Sequence, residues 1–171
     1  MAKEDTNEEL NITREQMIQL LNEDLSREYQ AIIAYTVYSQ VIKGAEYTDI
    51  ARELEKHAAE ELSHAITIAK QVDYLGGKPV VVPKLVATFN DPVDMLHADL
   101  ENERETVANY RQRIRQAEAM GEFALSEALR EIIVQEQEHE IDLCDALGIN
   151  VPAPKPFPDP KVTELLASRN H

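Results

Sequence analysis

Residues 50–68 read Ile50-Ala51-Arg52-Glu53-Leu54-Glu55-Lys56-His57-Ala58-Ala59-Glu60-Glu61-Leu62-Ser63-His64-Ala65-Ile66-Thr67-Ile68. Ile50, Leu54, His57, Glu61, His64 and Ile68 recur at steps of three and four, and Leu75 extends the series, so they share one face of a helix. A face built this way goes into a protein core, yet its middle carries a glutamate and histidines. The same anomaly returns at Leu125, Leu129, Ile132, Glu136, His139 and Leu143. Two further stripes carry a lone glutamate at mid-length. One is Met17, Leu21, Leu25, Glu28, Ile32, Tyr35, Ile42, and the other is Val93, Leu96, Leu100, Glu103, Val107, Tyr110, Ile114.

Helix boundaries follow from capping chemistry and glycine. Thr13 with Gln16 three residues on reads as a capping box, opening a helix that runs to Gly44. A second helix starts near Thr48 or Asp49 and ends at Gly76-Gly77. The segment 78–90 has two prolines and β-branched residues, which predict extended chain. Asp91-Pro92 supplies an N-cap acid and a proline at the first helical position of a third helix, which ends at Met120-Gly121. A fourth runs from Glu122 to Leu147, before Gly148. The links are short, long, short. The long one can return along the bundle, so the second and third helices run parallel. The expectation is an all-α, ferritin-like four-helix bundle with one long crossover. It spans 13–148, between a flexible N-terminus at 1–12 and a Pro-rich tail at 149–171 with a short helix over about 159–168.

The two halves repeat. A shift of 75 pairs Leu21 with Leu96, Asp24 with Asp99, Leu25 with Leu100, Glu28 with Glu103, and Tyr35 with Tyr110. It also pairs Leu54 with Leu129, Glu61 with Glu136, His64 with His139, and Ile66 with Ile141. Two-fold pseudosymmetry then sets the two glutamate–histidine sets face to face. Four ionised carboxylates inside a bundle are prohibitive without cations, at several kcal/mol or more each. No Lys or Arg stands level with them in the stripes. Two divalent ions neutralise four carboxylates, and one histidine completes each. Glu61-Leu62-Ser63-His64 and Glu136-Gln137-Glu138-His139 place both donors on one helix face. Mixed oxygen and nitrogen donors suit Fe or Mn better than Mg or Ca.

The 171 residues suffice for one core, burying roughly 70% of the unfolded chain's surface. Lys plus Arg number 17 against 32 Asp plus Glu, for a net charge of −15. That balance argues against nucleic acid and for cations, and so does the lone Lys among Met1–Leu10. Cys144 alone makes neither an internal disulfide nor a four-cysteine metal site. No apolar run reaches membrane-span length and no signal peptide opens the chain. A cytoplasmic protein with no membrane partner is the expectation.

These residues resemble the ferritin-like superfamily, and within it the bacterioferritins and their Dps-like relatives with a bacterioferritin-type site. The likeness covers about 13–148, including Gly77-Lys78-Pro79 and Asp94-Met95-Leu96-His97-Ala98-Asp99-Leu100 ahead of Glu103. It implies that Glu61 and Glu136 bridge two iron ions, that Glu28 and His64 complete one, and that Glu103 and His139 complete the other. It implies that Tyr35 acts beside them by hydrogen-bonding a ligand or supplying an electron, with Tyr110 as its mate. The implied activity is that of a ferroxidase taking Fe(II) to Fe(III) with O2 or H2O2, for storage or detoxification. It implies a homo-oligomer of 12 or 24 subunits built from dimers. Haem is not expected, because Leu62 stands where haem-binding members carry methionine. The Pro-rich tail lacks the family's usual fifth helix unless 159–168 replace it, and Cys144 lacks the second cysteine of some Dps-like relatives.

Two other readings share the motif: a di-iron or di-manganese peroxidase, oxygenase or catalase in a small oligomer, and a non-enzymatic Dps-like shell protein. His57, whose mate is Ile132, reads as a hydrogen-bonded bundle histidine, or else as a second-layer or iron-transfer group. Glu60, Glu138 and Glu140 read as solvated, cavity-facing or interface residues. Arg27, Arg52 and Arg104 read as surface or interface pairs. His97 and His171 have no assigned role.

Overall fold

A computed structural model describes residues 10–152. Within it lie four long helices: α1 over Arg14–Val41, α2 over Thr48–Tyr74, α3 over Pro92–Ala119 and α4 over Phe123–Ala146. A single 3₁₀ turn, Ala45–Tyr47, leads into α2. The described residues hold no β-strand. The segment proposed from the sequence as a short helix, 159–168, lies outside the described residues.

The capping signals read at the starts of α1 and α3 have visible partners, while α2 and α4 begin without a side-chain cap. Thr13 and Gln16 form the reciprocal box: Gln16 N donates to Thr13 Oγ1 at 3.2 Å and Thr13 N to Gln16 Oε1 at 2.8 Å. Asp91 accepts from Val93 N at 2.8 Å, with Pro92 opening α3. The first helix stops earlier than Gly44. Ile42 already has extended backbone (φ −60°, ψ 132°), and Gly44 takes φ +132°, which a side chain rarely adopts. Gly77 serves close approach instead. A Cβ there would meet Ile18 Cγ2 at 2.5 Å, where the chain leaves α2 and crosses α1.

The extended link 78–90 runs beside α1 in the same direction, tied to its polar face. Asn22 holds it at both Lys78 O (3.0 Å) and Val80 N (2.8 Å). Ser26 Oγ donates to Val82 O at 2.8 Å, and Ser26 O accepts from Lys84 N at 3.0 Å. Gln30 donates to Leu85 O at 2.7 Å and Tyr38 to Ala87 O at 2.6 Å. The strap carries the chain back to the start of α1's far end, so α3 runs parallel to α2 and antiparallel to α1. Several of its backbone groups thus pair with α1 side chains, and Lys84 N with the α1 backbone, in place of a sheet.

The stripes point inward with few exceptions. The buried core falls into two clusters at opposite ends of the bundle. One holds Met17, Leu21, Leu25, Ile68 and Leu129, and the other Tyr38, Leu54, Met95, Leu100 and Leu143. The buried glutamates lie between them. Val93, placed in the α3 stripe from its spacing, is exposed, because it sits at the edge of the stripe in the first turn, where Met95 covers the core instead. Ile32 is only partly buried.

One buried ion pair was not signalled by periodicity. Arg113 Nε lies 2.9 Å from Asp24 Oδ2, both buried, and Arg113 Nη1 donates to Gln116 Oε1 at 3.2 Å. Burial pushes the Asp24 carboxyl up to about 6 even with the guanidinium beside it. Removing one partner strands the other's charge in the core. Arg113→Met is expected to lower unfolding stability by about 3–5 kcal/mol, read from urea denaturation, while Asp24→Leu with Arg113→Met recovers most of that loss.

Candidate metal centre

Each helix brings one glutamate to the middle of the bundle. Glu28 comes from α1, Glu61 from α2, Glu103 from α3 and Glu136 from α4, each no more than 3% exposed. His64 and His139 sit one turn beyond Glu61 and Glu136 and are equally buried. Their donor atoms gather into two groups, Glu28–Glu61–His64–Glu136 and Glu61–Glu103–Glu136–His139, each within 4.8 Å. Glu61 and Glu136 belong to both.

Both imidazoles turn Nδ1 inward. His64 Nδ1 lies 3.1 Å from Glu61 Oε2, 3.1 Å from Glu136 Oε1 and 3.4 Å from Glu28 Oε2. His139 Nδ1 lies 3.0 Å from Glu61 Oε1, 3.6 Å from Glu136 Oε2 and 3.9 Å from Glu103 Oε1. Several of these approaches lack hydrogen-bond alignment. Glu28 Oε2, Glu61 Oε1, Glu103 Oε2, both Glu136 oxygens and His139 Nδ1 are buried with no hydrogen-bond partner. Buried polar atoms are ordinarily paired. Orphaned donors that converge on two shared centres fit cation ligation, and the oxygen-plus-imidazole set fits Fe or Mn.

The outer atoms of the cage are anchored. Tyr35 donates its hydroxyl to Glu103 Oε1, and Tyr110 donates to Glu28 Oε1, a reciprocal pair across the pseudo-two-fold. Burial, then the Glu103 charge, holds the Tyr35 phenol well above 10; burial and Glu28 do the same for Tyr110. Both are therefore neutral donors. His64 Nε2 faces Gln135 Oε1 at 2.8 Å, and His139 Nε2 faces Glu60 Oε2 at 2.9 Å. Glu60 is thus not a purely solvated, cavity or interface residue: α4 packs close enough to α2 for it to reach His139. His57 stacks on His139 with centroids 4.0 Å apart and meets Asp142 Oδ2 at 3.1 Å through Nε2. Its ligand atoms also group with Glu60 and His139, and with Glu53 and Asp142.

Other residues fall outside this centre. Arg104 meets Glu140 at 3.3 Å and Arg52 meets Asp49 at 3.4 Å, while Arg27 pairs with Glu105. Glu138 and His97 are exposed. Leu62 is exposed on α2, and Cys144 is buried and free on α4. His171 lies outside the described residues. Periodicity did not mark Asp99 as more than the mate of Asp24. The structure buries it beside the cage with Oδ2 unpartnered, and burial with the nearby Glu61 raises its carboxyl well above the usual range. It lines a narrow cleft with Arg27, Gln30, Asn102 and Thr106 that reaches Glu28 and Glu103.

Residues 18–149 match the family Ferritin, the ferritin-like domain. The chain belongs to this family. Bacterioferritin of Desulfovibrio desulfuricans is 24% identical over 124 residues, spanning 72% of this chain and 69% of that protein. A ferritin-like diiron-carboxylate protein from Bacillus anthracis superposes with a TM-score of 0.75 at 30% identity, covering 78% of this chain and 96% of its own. A dodecameric thioferritin, the bacterioferritin-related protein of Bacteroides fragilis, gives 0.74 at 28% identity over 92% of both chains. No helix among the described residues is long and apolar enough to cross a membrane.

The charge balance of this ferritin-like centre sets a pH dependence when metal is stripped by a chelator. Burial, then the charges of Glu61 and Glu136, raise Glu28 and Glu103 well above the carboxylate range. For the imidazoles burial opposes charging, but the surrounding carboxylates overcome it. They raise His64 strongly and His139 to about 10. Glu61 is held low: burial opposes this, but His139 and His64 prevail. Groups raised on folding stabilise below their unfolded values, and that contribution is lost as pH climbs through the folded ones. Glu61 acts only below about pH 4.5. The Tm of stripped protein should therefore fall steadily from pH 5 to 8 in calorimetry. Glu28→Gln with Glu103→Gln should flatten the slope.

Proposed function

We propose that this ferritin-like chain is a ferroxidase that oxidises Fe(II) to Fe(III) with O2 or H2O2 at a di-iron site inside each subunit. The observation that carries this reading is the pair of four-residue groups sharing Glu61 and Glu136, with carboxylate oxygens left unpartnered in the core. Glu61 and Glu136, common to both groups, would serve both positions. Glu28 with His64 would complete one position, and Glu103 with His139 the other. Two iron ions held there would supply one-electron redox chemistry toward an oxidant. Manganese fits the same donors.

The remaining roles belong to the protein. Tyr35 and Tyr110 hold Glu103 and Glu28 by donated hydrogen bonds, leaving one oxygen of each free to face the centre. The Tyr35 phenol lies against His57 and His139, a contact that supports reading it as a group that hydrogen-bonds a ligand or supplies an electron. The net charge of −15 draws cations toward the molecule.

Storage or detoxification in a homo-oligomeric shell completes the proposal. The dodecameric relative supports assembly. So does an apolar surface: Ile33, Val37 and Val41 lie exposed at four-residue spacing on α1, and Ile33 shares a shallow pocket with exposed Val81 of the strap.

Stopped-flow absorbance after mixing Fe(II) with aerobic metal-stripped protein should show oxidation well above the protein-free rate. A protein that binds two metals without that acceleration would remove the ferroxidase assignment. Glu61→Ala with Glu136→Ala should abolish metal binding in calorimetry while circular dichroism shows the helices retained. Ile33→Glu with Val37→Glu should lower the native mass toward dimer or monomer in light scattering.

A further inference from the structure

The cage obeys the 75-residue repeat at every inward-facing donor and breaks it just outside. His64 Nε2 meets Gln135 Oε1 at 2.8 Å, whereas His139 Nε2 meets Glu60 Oε2 at 2.9 Å. Gln135 stands 75 positions after Glu60, so equivalent places hold an amide on one side and a carboxylate on the other. The neighbours add to the imbalance. His57 stacks on His139 and meets Asp142 through Nε2, while the residues 75 positions from these two are the uncharged Ile132 and Thr67.

A carboxylate only accepts, so Glu60 fixes the proton on His139 Nε2 and turns the Nδ1 lone pair inward. The charge-assisted hydrogen bond also makes that imidazole a stronger donor. The Gln135 amide presents either an oxygen or an NH2 group and carries no charge, so it selects the His64 tautomer less strictly. We propose that Glu60 makes the Glu103–His139 position the tighter of the two cation positions, and that Gln135 leaves Glu28–His64 the weaker. Glu60 is a positioning residue that acts through His139. The inference rests on the cage holding two cations, as set out under Proposed function.

Co(II) is the probe, titrated into full-length, metal-stripped protein by calorimetry with its d–d absorbance as a second readout. The native protein should bind two Co(II) per chain in separate classes at least about tenfold apart in affinity. Glu60→Gln should weaken the tight class alone by about tenfold or more, merging the two. Gln135→Glu should tighten the weak class alone. One undivided class in the native protein overturns the proposal. So does equal weakening of both classes by Glu60→Gln, the mark of a merely structural role, or a Gln135→Glu variant whose weak class does not tighten. A folded protein that binds no Co(II) at all overturns the cage reading itself, which separates the two failures.

Discussion

Desolvation of charge at the centre of the bundle governs this structure. Four carboxyl groups and two imidazoles stand between two apolar clusters, where an unpaired ion costs several kcal/mol. The folded chain answers locally by sharing protons. Glu28 and Glu103 are driven toward their neutral forms, Glu61 stays ionised, and the histidines are pushed toward their charged forms. Cations at the two shared positions would satisfy the same inward-facing atoms in place of those protons. Proton and metal would therefore compete for one set of lone pairs.

Rigidity around the centre comes from every helix. The α1 and α3 glutamates are held across the bundle by tyrosines from the opposite half, the α2 histidine by Gln135 and the α4 histidine by Glu60. The strap binds α1 through Asn22, Ser26, Gln30 and Tyr38, which holds the helix from outside with Glu28 turned into the bundle. The Arg113–Asp24 pair ties α3 to α1 one turn from Tyr110 and Glu28. Donor positions set this way on long helices are more precise than donors on loops.

Much of this was legible before any coordinates. Thr13–Gln16 and Asp91–Pro92 fixed two helix starts because capping is a local affair between neighbours in sequence. The misplaced glutamates stood out because helical periodicity states which face is buried. Val93 misled, since periodicity does not say where a stripe runs out. Glu60 misled because its partner lies on another helix, 79 residues away. The repeat did contain the clue to its role, in the unequal mates Glu60 and Gln135.

By itself the sequence determined the helices, their buried faces, the long crossover and the six donor residues in phase, because spacing of three and four residues and capping are properties of the chain. Only the tertiary structure decided which ring nitrogen faces inward, which oxygens are left without partners, and that Asp99, Arg113 and Gln135 stand where they do. Those outcomes depend on the approach of side chains from different helices to within hydrogen-bonding distance, and one helix's periodicity carries no information about its rotation against another.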